Sequence, residues 1–341
     1  KGERLSIFNH IKKLVFYIAI VGSILVVLLS PIIAKFLNIN DILSTVFTAG
    51  VLFFSLITLV NQASLQGILQ FKGVVAPNFV ASFLKLLLGI LLVFLGFSVQ
   101  GAMFAVVLGA ASAYFISQKM VVKFFTGNSN SQFSLPAFLT YSGPVLVQAF
   151  AFTSLFTTDV ILVKHFFPPL QAGWYAALST LGKIVFFGAS PVSAAMFPYV
   201  SGKYARGEKY IWELLSALLL TIFIAFGVVV VYALMPNLVI NVLYGSEYLR
   251  ASGNLVWMGL FVAFYTVANL LVNFFLSIDK TRVIILPFVL ALLQILLVWF
   301  HHETLLQVIQ ISLAEMIFLC AILGLYLGYN QSVNYGKRSN N

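Results

Sequence analysis

Apolar residues along this chain neither alternate nor keep to one stripe; they fill long runs separated by short polar turns. An uninterrupted apolar run of about 18 or more residues is long enough, at 1.5 Å per residue, to cross the roughly 30 Å of a bilayer's hydrocarbon core. A membrane β-barrel would show alternating segments of about ten residues instead. The runs predict ten helices, near 14–37, 42–66, 74–97, 100–122, 139–165, 172–200, 211–240, 252–277, 283–300 and 304–328. A tight turn at Pro168, Pro169 and Gly173 joins the fifth and sixth. The longest polar connection, TGNSNSQFS at 126–134, predicts a boundary between two halves. The expected organisation is four helices over 1–125, a cytoplasmic linker over 126–138, six helices over 139–330 and a cytoplasmic tail over 331–341.

Composition places the chain firmly among polytopic all-α membrane proteins. It is 61% apolar and 8% charged, where a soluble domain carries about 25% charged residues; mean hydropathy is +1.05. The net charge of +10 does not point to nucleic acid, because the cations sit in the short connections. With the N-terminus cytoplasmic, the cytoplasmic side collects Lys1, Arg4, Lys12, Lys13, Lys72, Lys119, Lys123, Lys203, Arg206, Lys209, Lys280, Arg282, Lys337 and Arg338, against Lys35, Lys164 and Arg250 outside. Fourteen against three is the positive-inside pattern, and a wrong helix count would scramble it. Cys320 is the one cysteine and lies in an apolar run, so no intrachain disulfide or cysteine-based zinc site is expected. His301 and His302 lack further ligands at metal spacing. With no phosphate-binding P-loop there is no ATP engine, and no cofactor is expected.

The helices repeat. Pro31 matches Pro236, Asp41 matches Glu247, Gly50 matches Gly259, Lys72 matches Lys280 and Pro77 matches Pro287, an offset drifting from about 205 to about 210 residues. Helices one to four therefore correspond to seven to ten, in parallel orientation. Helices five and six would then open the second half, and their counterparts in the first half are absent from this sequence. The expectation is a protein of twelve helices in two six-helix bundles, of which this chain, beginning at Lys1, carries ten.

A charge deep in a membrane helix costs roughly 2.5–3.5 kcal/mol on insertion scales and usually faces a bundle interior or a wet cavity. Lys85 and Lys183 are such charges, and either could hold an anion in a cavity or lay its stem along the helix to reach water. Ser179 and Ser190 fall on the Lys183 face at 3.6 residues per turn, and Gln148 and Tyr141 on the Asp159 face. Asp159 is as well explained by interhelical hydrogen bonding as by a functional role. Glu315 is the candidate coupling residue, or pairs with a neighbour. Gln62, Gln66 and Gln70, with Asn269 and Asn273, are read as interhelical packing.

The motifs YSGP, TDVILV, AGWYAALSTLGK and MFPYVS over 141–201, with LQGILQFKG at 65–73, resemble the polysaccharide and lipid-linked oligosaccharide flippases of the multidrug/oligosaccharidyl-lipid/polysaccharide exporter superfamily. The resemblance implies two bundles around a central cavity, MATE-like, working by alternating access in the cytoplasmic membrane. It implies a polyprenyl-diphosphate-linked oligosaccharide as substrate, with membrane lipid and polysaccharide-assembly proteins as partners. Lys85 and Lys183 would attract the diphosphate; serines, glutamines and aromatic residues would meet the sugar. A cation-coupled multidrug or toxin extruder of the same fold remains open through Asp159 and Glu315. A membrane glycosyltransferase or polymerase fits less well, since the predicted outer loops are only a few residues long.

Overall fold

The computed structural model describes residues 2–39, 41–68, 70–125 and 135–339. Among these there are helices and turns and no strand. The chain falls into two units, Lys1–Ala137 and Phe138–Asn341.

The first unit contains α1 (Gly2–Phe36), α2 (Ile42–Gly67), α3 (Lys72–Leu92) and α4 (Ser98–Val122). Helix α2 packs on α1 and α4, and α3 packs mainly on α4. The α3–α4 stretch is one 51-residue run of spanning hydropathy, Lys72–Val122. It folds back on itself through a π-helical turn, Val93–Phe97, where Gly96 takes φ +91° and Ser98 φ +44°. Glycine reaches that region without a Cβ clash, so the reversal falls there. With this reversal counted, the nine apolar helical stretches among the described residues supply the ten crossings that the pattern predicts.

Small residues decide how α3 and α4 meet. The buried face of α4 reads Gly101, Ala105, Gly109, Ala113, Ser117 and Val121, one residue every four. Between membrane helices there is little hydrophobic drive, and close backbone approach replaces it. At Gly109 a Cβ would stand 2.9 Å from the Ala81 carbonyl oxygen and 3.3 Å from the Lys85 Cβ. Only glycine lets α3 lie that close.

The second unit contains α5 (Leu135–Phe166), α6 (Pro169–Ala205), α7 (Ile211–Leu234), α8 (Pro236–Tyr244), α9 (Leu255–Ser277), α10 (Ile285–Phe300) and α11 (Leu305–Ser339). Its core surrounds α9, which is apolar on nearly every side because it is buried on nearly every side. Helix α9 packs on α6, α7 and α11, and α10 packs on α11. The neighbour pairs α7–α9, α9–α11 and α10–α11 repeat α1–α2, α2–α4 and α3–α4 of the first unit.

Boundaries differ from the sequence pattern in several places; the first helix, expected over 14–37, already begins at Gly2. The predicted helix 211–240 stops at Leu234; Met235 leaves the helical region at φ −136°, ψ 49°, and Pro236 opens the nine-residue α8. A proline has no N–H and disfavours helical geometry at the residue before it. Pro31, its repeat partner, lies inside α1 without ending it. Proline there frees the Val27 carbonyl, and the Ser30 hydroxyl donates to it at 2.7 Å. Ser190 makes the same repair before Pro191 in α6, donating to the Phe187 carbonyl at 3.5 Å. Met235 has no such hydroxyl. Gly173, predicted in a turn, is inside α6, which begins at Pro169. Residues 135–138 of the predicted linker begin α5, and α11 continues helical to Ser339. Residues 126–134 lie outside the described residues.

Candidate functional site

Helices α5, α6 and α9 bring several of the predicted polar residues of the second unit together. Asp159, on α5, is 1% exposed. Its Oδ2 accepts a hydrogen bond of 2.7 Å from the Tyr175 hydroxyl of α6, a side chain buried completely. Its Oδ1 has no hydrogen-bond partner. The turn at Phe167 and Pro168 sets this meeting, since it reverses the chain and lays the start of α6 back along the end of α5.

Lys183, two turns further along α6, is half-buried. Its Nζ lies 5.4 Å from the centre of the Phe156 ring, a cation–π contact worth about 0.5–2 kcal/mol depending on desolvation. Tyr265 of α9 stacks on Phe156 at 4.6 Å and 13°, and Phe186 meets both edge-on or tilted at 5.3–5.4 Å. The Tyr265 hydroxyl donates to the Phe152 carbonyl at 3.0 Å. Lys183 thus stands on an aromatic floor, and among the described residues no carboxylate lies within ion-pair distance of it.

Gln148 belongs to a separate group nearer the start of α5. Its Nε2 donates to Asn273 Oδ1 at 3.1 Å, and Asn273 Nδ2 donates to Ser193 at 3.2 Å and to Asn269 at 2.9 Å. These bonds tie α5, α6 and α9 together. The Tyr141 side chain lies outside the described residues. Ser179 is buried, at 5% exposure, and the Ser190 hydroxyl turns back onto its own helix.

Glu315 sits on α11, 5% exposed, with neither carboxyl oxygen hydrogen-bonded. One turn earlier, Ser312 accepts from Gln294 of α10 at 2.9 Å, and Gln294 also donates to the Leu155 carbonyl of α5 at 3.4 Å. Pattern reading missed Tyr175, Phe156, Tyr265 and Gln294. Each is an ordinary residue of an apolar helix until a neighbouring helix supplies its partner.

In the first unit, Lys85 is exposed on α3 without a hydrogen bond or ion pair among the described residues. Lys12 donates to Gln118 Oε1 at 2.9 Å, and the buried Asn61 donates to the same oxygen at 3.1 Å, joining α1, α2 and α4. At the α6–α7 turn Lys203 pairs with Glu213 and Arg206 with Glu208, the latter at 2.5 Å. The Arg206 guanidinium holds the Glu208 carboxyl below its ordinary range. Among the described residues no group of three His, Cys, Asp or Glu could hold a metal ion.

An all-helical, multi-pass membrane scaffold with neighbour pairs repeated in its two units defines a transporter-type fold. Among solved structures the chain is similar to "Lipid II flippase MurJ, inward closed conformation", with 15% identity and a TM-score of 0.74 over 96% of this chain and 72% of that one. It is also similar to a multidrug resistance MATE family transporter of the MOP superfamily. Against its inward-facing conformation identity is 15% and TM-score 0.67, covering 93% of this chain and 80% of that one. Against the outward-facing conformation identity is 17% and TM-score 0.60, covering 92% and 77%. At these identities the likeness establishes the fold. No curated protein matches the chain. The family model described as polysaccharide biosynthesis protein matches residues 8–253, and the chain belongs to that family.

Proposed function

We propose that this protein moves a lipid-linked oligosaccharide, carried on a polyprenyl diphosphate, across the cytoplasmic membrane for surface polysaccharide synthesis, by alternating access. The observation that carries this reading is a pair of ammonium groups inside membrane-spanning helices with no carboxylate at ion-pair distance, Lys85 on α3 and Lys183 on α6. An unpaired cation there has a use when its counter-charge arrives with the substrate, and a diphosphate is such a counter-charge. Family membership supports a glycan-related substrate, and the MurJ-like fold supports a lipid carrier. Polysaccharide-assembly proteins would act with it at the membrane.

The test is complementation of a flippase-null bacterium, scoring surface glycan and the intracellular lipid-linked intermediate. The chain should restore glycan and clear the intermediate. Lys85→Ala with Lys183→Ala should abolish both effects at unchanged expression; normal polymer from that double variant would refute the role given to the lysines.

A second reading, a cation-coupled extruder of the same fold, is favoured by the unpartnered buried carboxyl oxygens of Asp159 and Glu315. Drug resistance without surface glycan in the same strain would select it. In either reading Glu315 is the coupling candidate. Glu315→Gln keeps the shape and removes the ionisable group, so transport should lose its dependence on the proton gradient; unchanged gradient dependence would remove Glu315 from that role.

A further inference from the structure

The exposed faces of α2 and α3 carry a polar pattern that helix packing uses only in part, at Gln62 with Asn78 and at Thr48 with the Thr45 carbonyl of its own helix. On α2, Thr48, Ser55, Gln62 and Gln66 fall within about 40° of one another at 100° per residue. Thr48, Ser55 and Gln66 are exposed and Gln62 is half-buried. The opposite face, with Thr45, Ala49, Thr58, Asn61 and Leu65, is the buried one. On α3, Asn78, Ser82 and Lys85 fall within about 60°, and all three are exposed. The rest of the exposed α3 surface is Phe79, Phe83, Leu86, Leu87 and Ile90, suited to lipid tails. The Gln62 amide donates to Asn78 Oδ1 at 2.9 Å and joins the two polar faces into one.

We propose that this joined face is a track that carries the sugar part of the lipid-linked glycan across the membrane. The proposal rests on the flippase reading above and names the part of that substrate the first unit handles. Length supports it: 18 residues separate Thr48 from Gln66, or about 27 Å of helix, close to the roughly 30 Å of hydrocarbon to be crossed. Thr48 and Gln62 already donate to Thr45 and Asn78, but the exposed groups of Ser55, Gln66 and Ser82 facing lipid tails would forfeit their hydrogen bonds with water, at a cost of a few kcal/mol each. A stripe of them along most of a span therefore meets a polar occupant.

The chemistry selects the occupant. Apart from Lys85 the track is neutral, and it offers both donors and acceptors, as amide and hydroxyl side chains do. Sugar hydroxyls are themselves both donors and acceptors. A drug cation or metal ion would find no carboxylate on the track and would meet the Lys85 charge. Repeated weak hydrogen-bonding groups, with no single tight pocket, suit a headgroup that must move on; Lys85 beside them meets the phosphate that follows the first sugar.

The full chain with Cys320→Ser, reconstituted in lipid nanodiscs, tests this with single cysteines at Ser55 and Ser82 and apolar-face controls at Phe83 and Leu87. Labelling uses a membrane-impermeant maleimide, with farnesyl diphosphate or farnesyl-diphosphate-linked N-acetylglucosamine as the probe. The expected result is labelling at 55 and 82 but not at 83 and 87. The sugar-bearing probe at about ten times its Kd should slow labelling at 55 roughly tenfold, and sugarless farnesyl diphosphate should not. No labelling at 55 and 82 means that another helix covers the face, and the track is wrong. Equal protection by both probes means that only the phosphate is recognised, which overturns the sugar assignment. Either failure alongside loss of surface glycan in the double lysine variant leaves the flippase reading standing without the track.

Discussion

Asp159 shows how one hydrogen bond decides the state of a buried polar residue. Among the described residues the Tyr175 hydroxyl is its side-chain donor, and Oδ1 has no hydrogen-bond partner. Removing a donor to a buried acceptor costs roughly 1–3 kcal/mol, because the desolvated group is then left unsatisfied. Tyr175→Phe should therefore lower the thermal midpoint of the purified protein, and Asp159→Asn in the same background should recover part of the loss. A midpoint unchanged by Tyr175→Phe would show that water already satisfies Asp159. Lys183 is different, because its contact is with a ring face and the ammonium keeps its donors for a ligand. The charges of Asp159 and Lys183 were legible as polar interruptions of apolar runs. Tyr175 and Phe156 were not, since tyrosine and phenylalanine interrupt nothing in a membrane helix.

Helix ends and helix contacts carry the next set of expectations. Asp41 caps α2, accepting from the Leu43 amide at 3.1 Å and from the Ser44 hydroxyl. The Ser44 hydrogen bond comes first among the causes that hold its carboxyl below the ordinary range. A lowered folded value means that the cap's contribution is present at neutral pH and is lost as pH falls through that value. The protection of the Leu43 amide, its exchange rate relative to the intrinsic rate at the same pH, should fall as pH drops through the Asp41 value, and in Asp41→Ala it should be low at every pH. Equal exchange in the two proteins at neutral pH would mean that the cap does not form in the membrane. The α3–α4 contact makes a sharper demand. Gly109→Val places a side chain against the Ala81 carbonyl and should destabilise by roughly 1–3 kcal/mol, as overpacking does. Normal stability of that variant would require α3 to shift freely. At the Ser–Pro pairs 30–31 and 190–191 the serine hydroxyl donates to the carbonyl that proline frees, while Pro198 continues the same α6 after Phe197 without such a hydroxyl. The hydroxyl before the proline was visible in the sequence; that it turns to the freed carbonyl was not.

For the whole molecule, the bias of basic residues sets orientation, and the ten crossings agree with it. In the Cys320→Ser background, cysteines at Asp41 and Arg250 should label from outside intact cells. Cysteines at Lys209 and Asp279 should label only after the membrane is opened. Labelling of Lys209→Cys in intact cells would invert the second unit and overturn the assignment. The direction of the proposed transport would follow from this orientation, since a donor assembled on the cytoplasmic face would have to reach its polymer on the other.

By itself the sequence determined which stretches are long and apolar enough to cross the membrane, and its basic residues set the orientation expected for them. Those properties arise between each segment and the bilayer: an apolar run partitions into hydrocarbon one helix at a time, and a lysine in a short loop stays on the cytoplasmic side. The tertiary structure alone decided which faces meet. In a soluble helix the polar stripe marks the outside, but a membrane helix is apolar both toward lipid and toward its neighbours, so that signal is erased. Hence Gln62, expected to bond between helices, found its partner only when α3 set Asn78 beside it, and Phe156 had no role until α6 brought Lys183 over its ring.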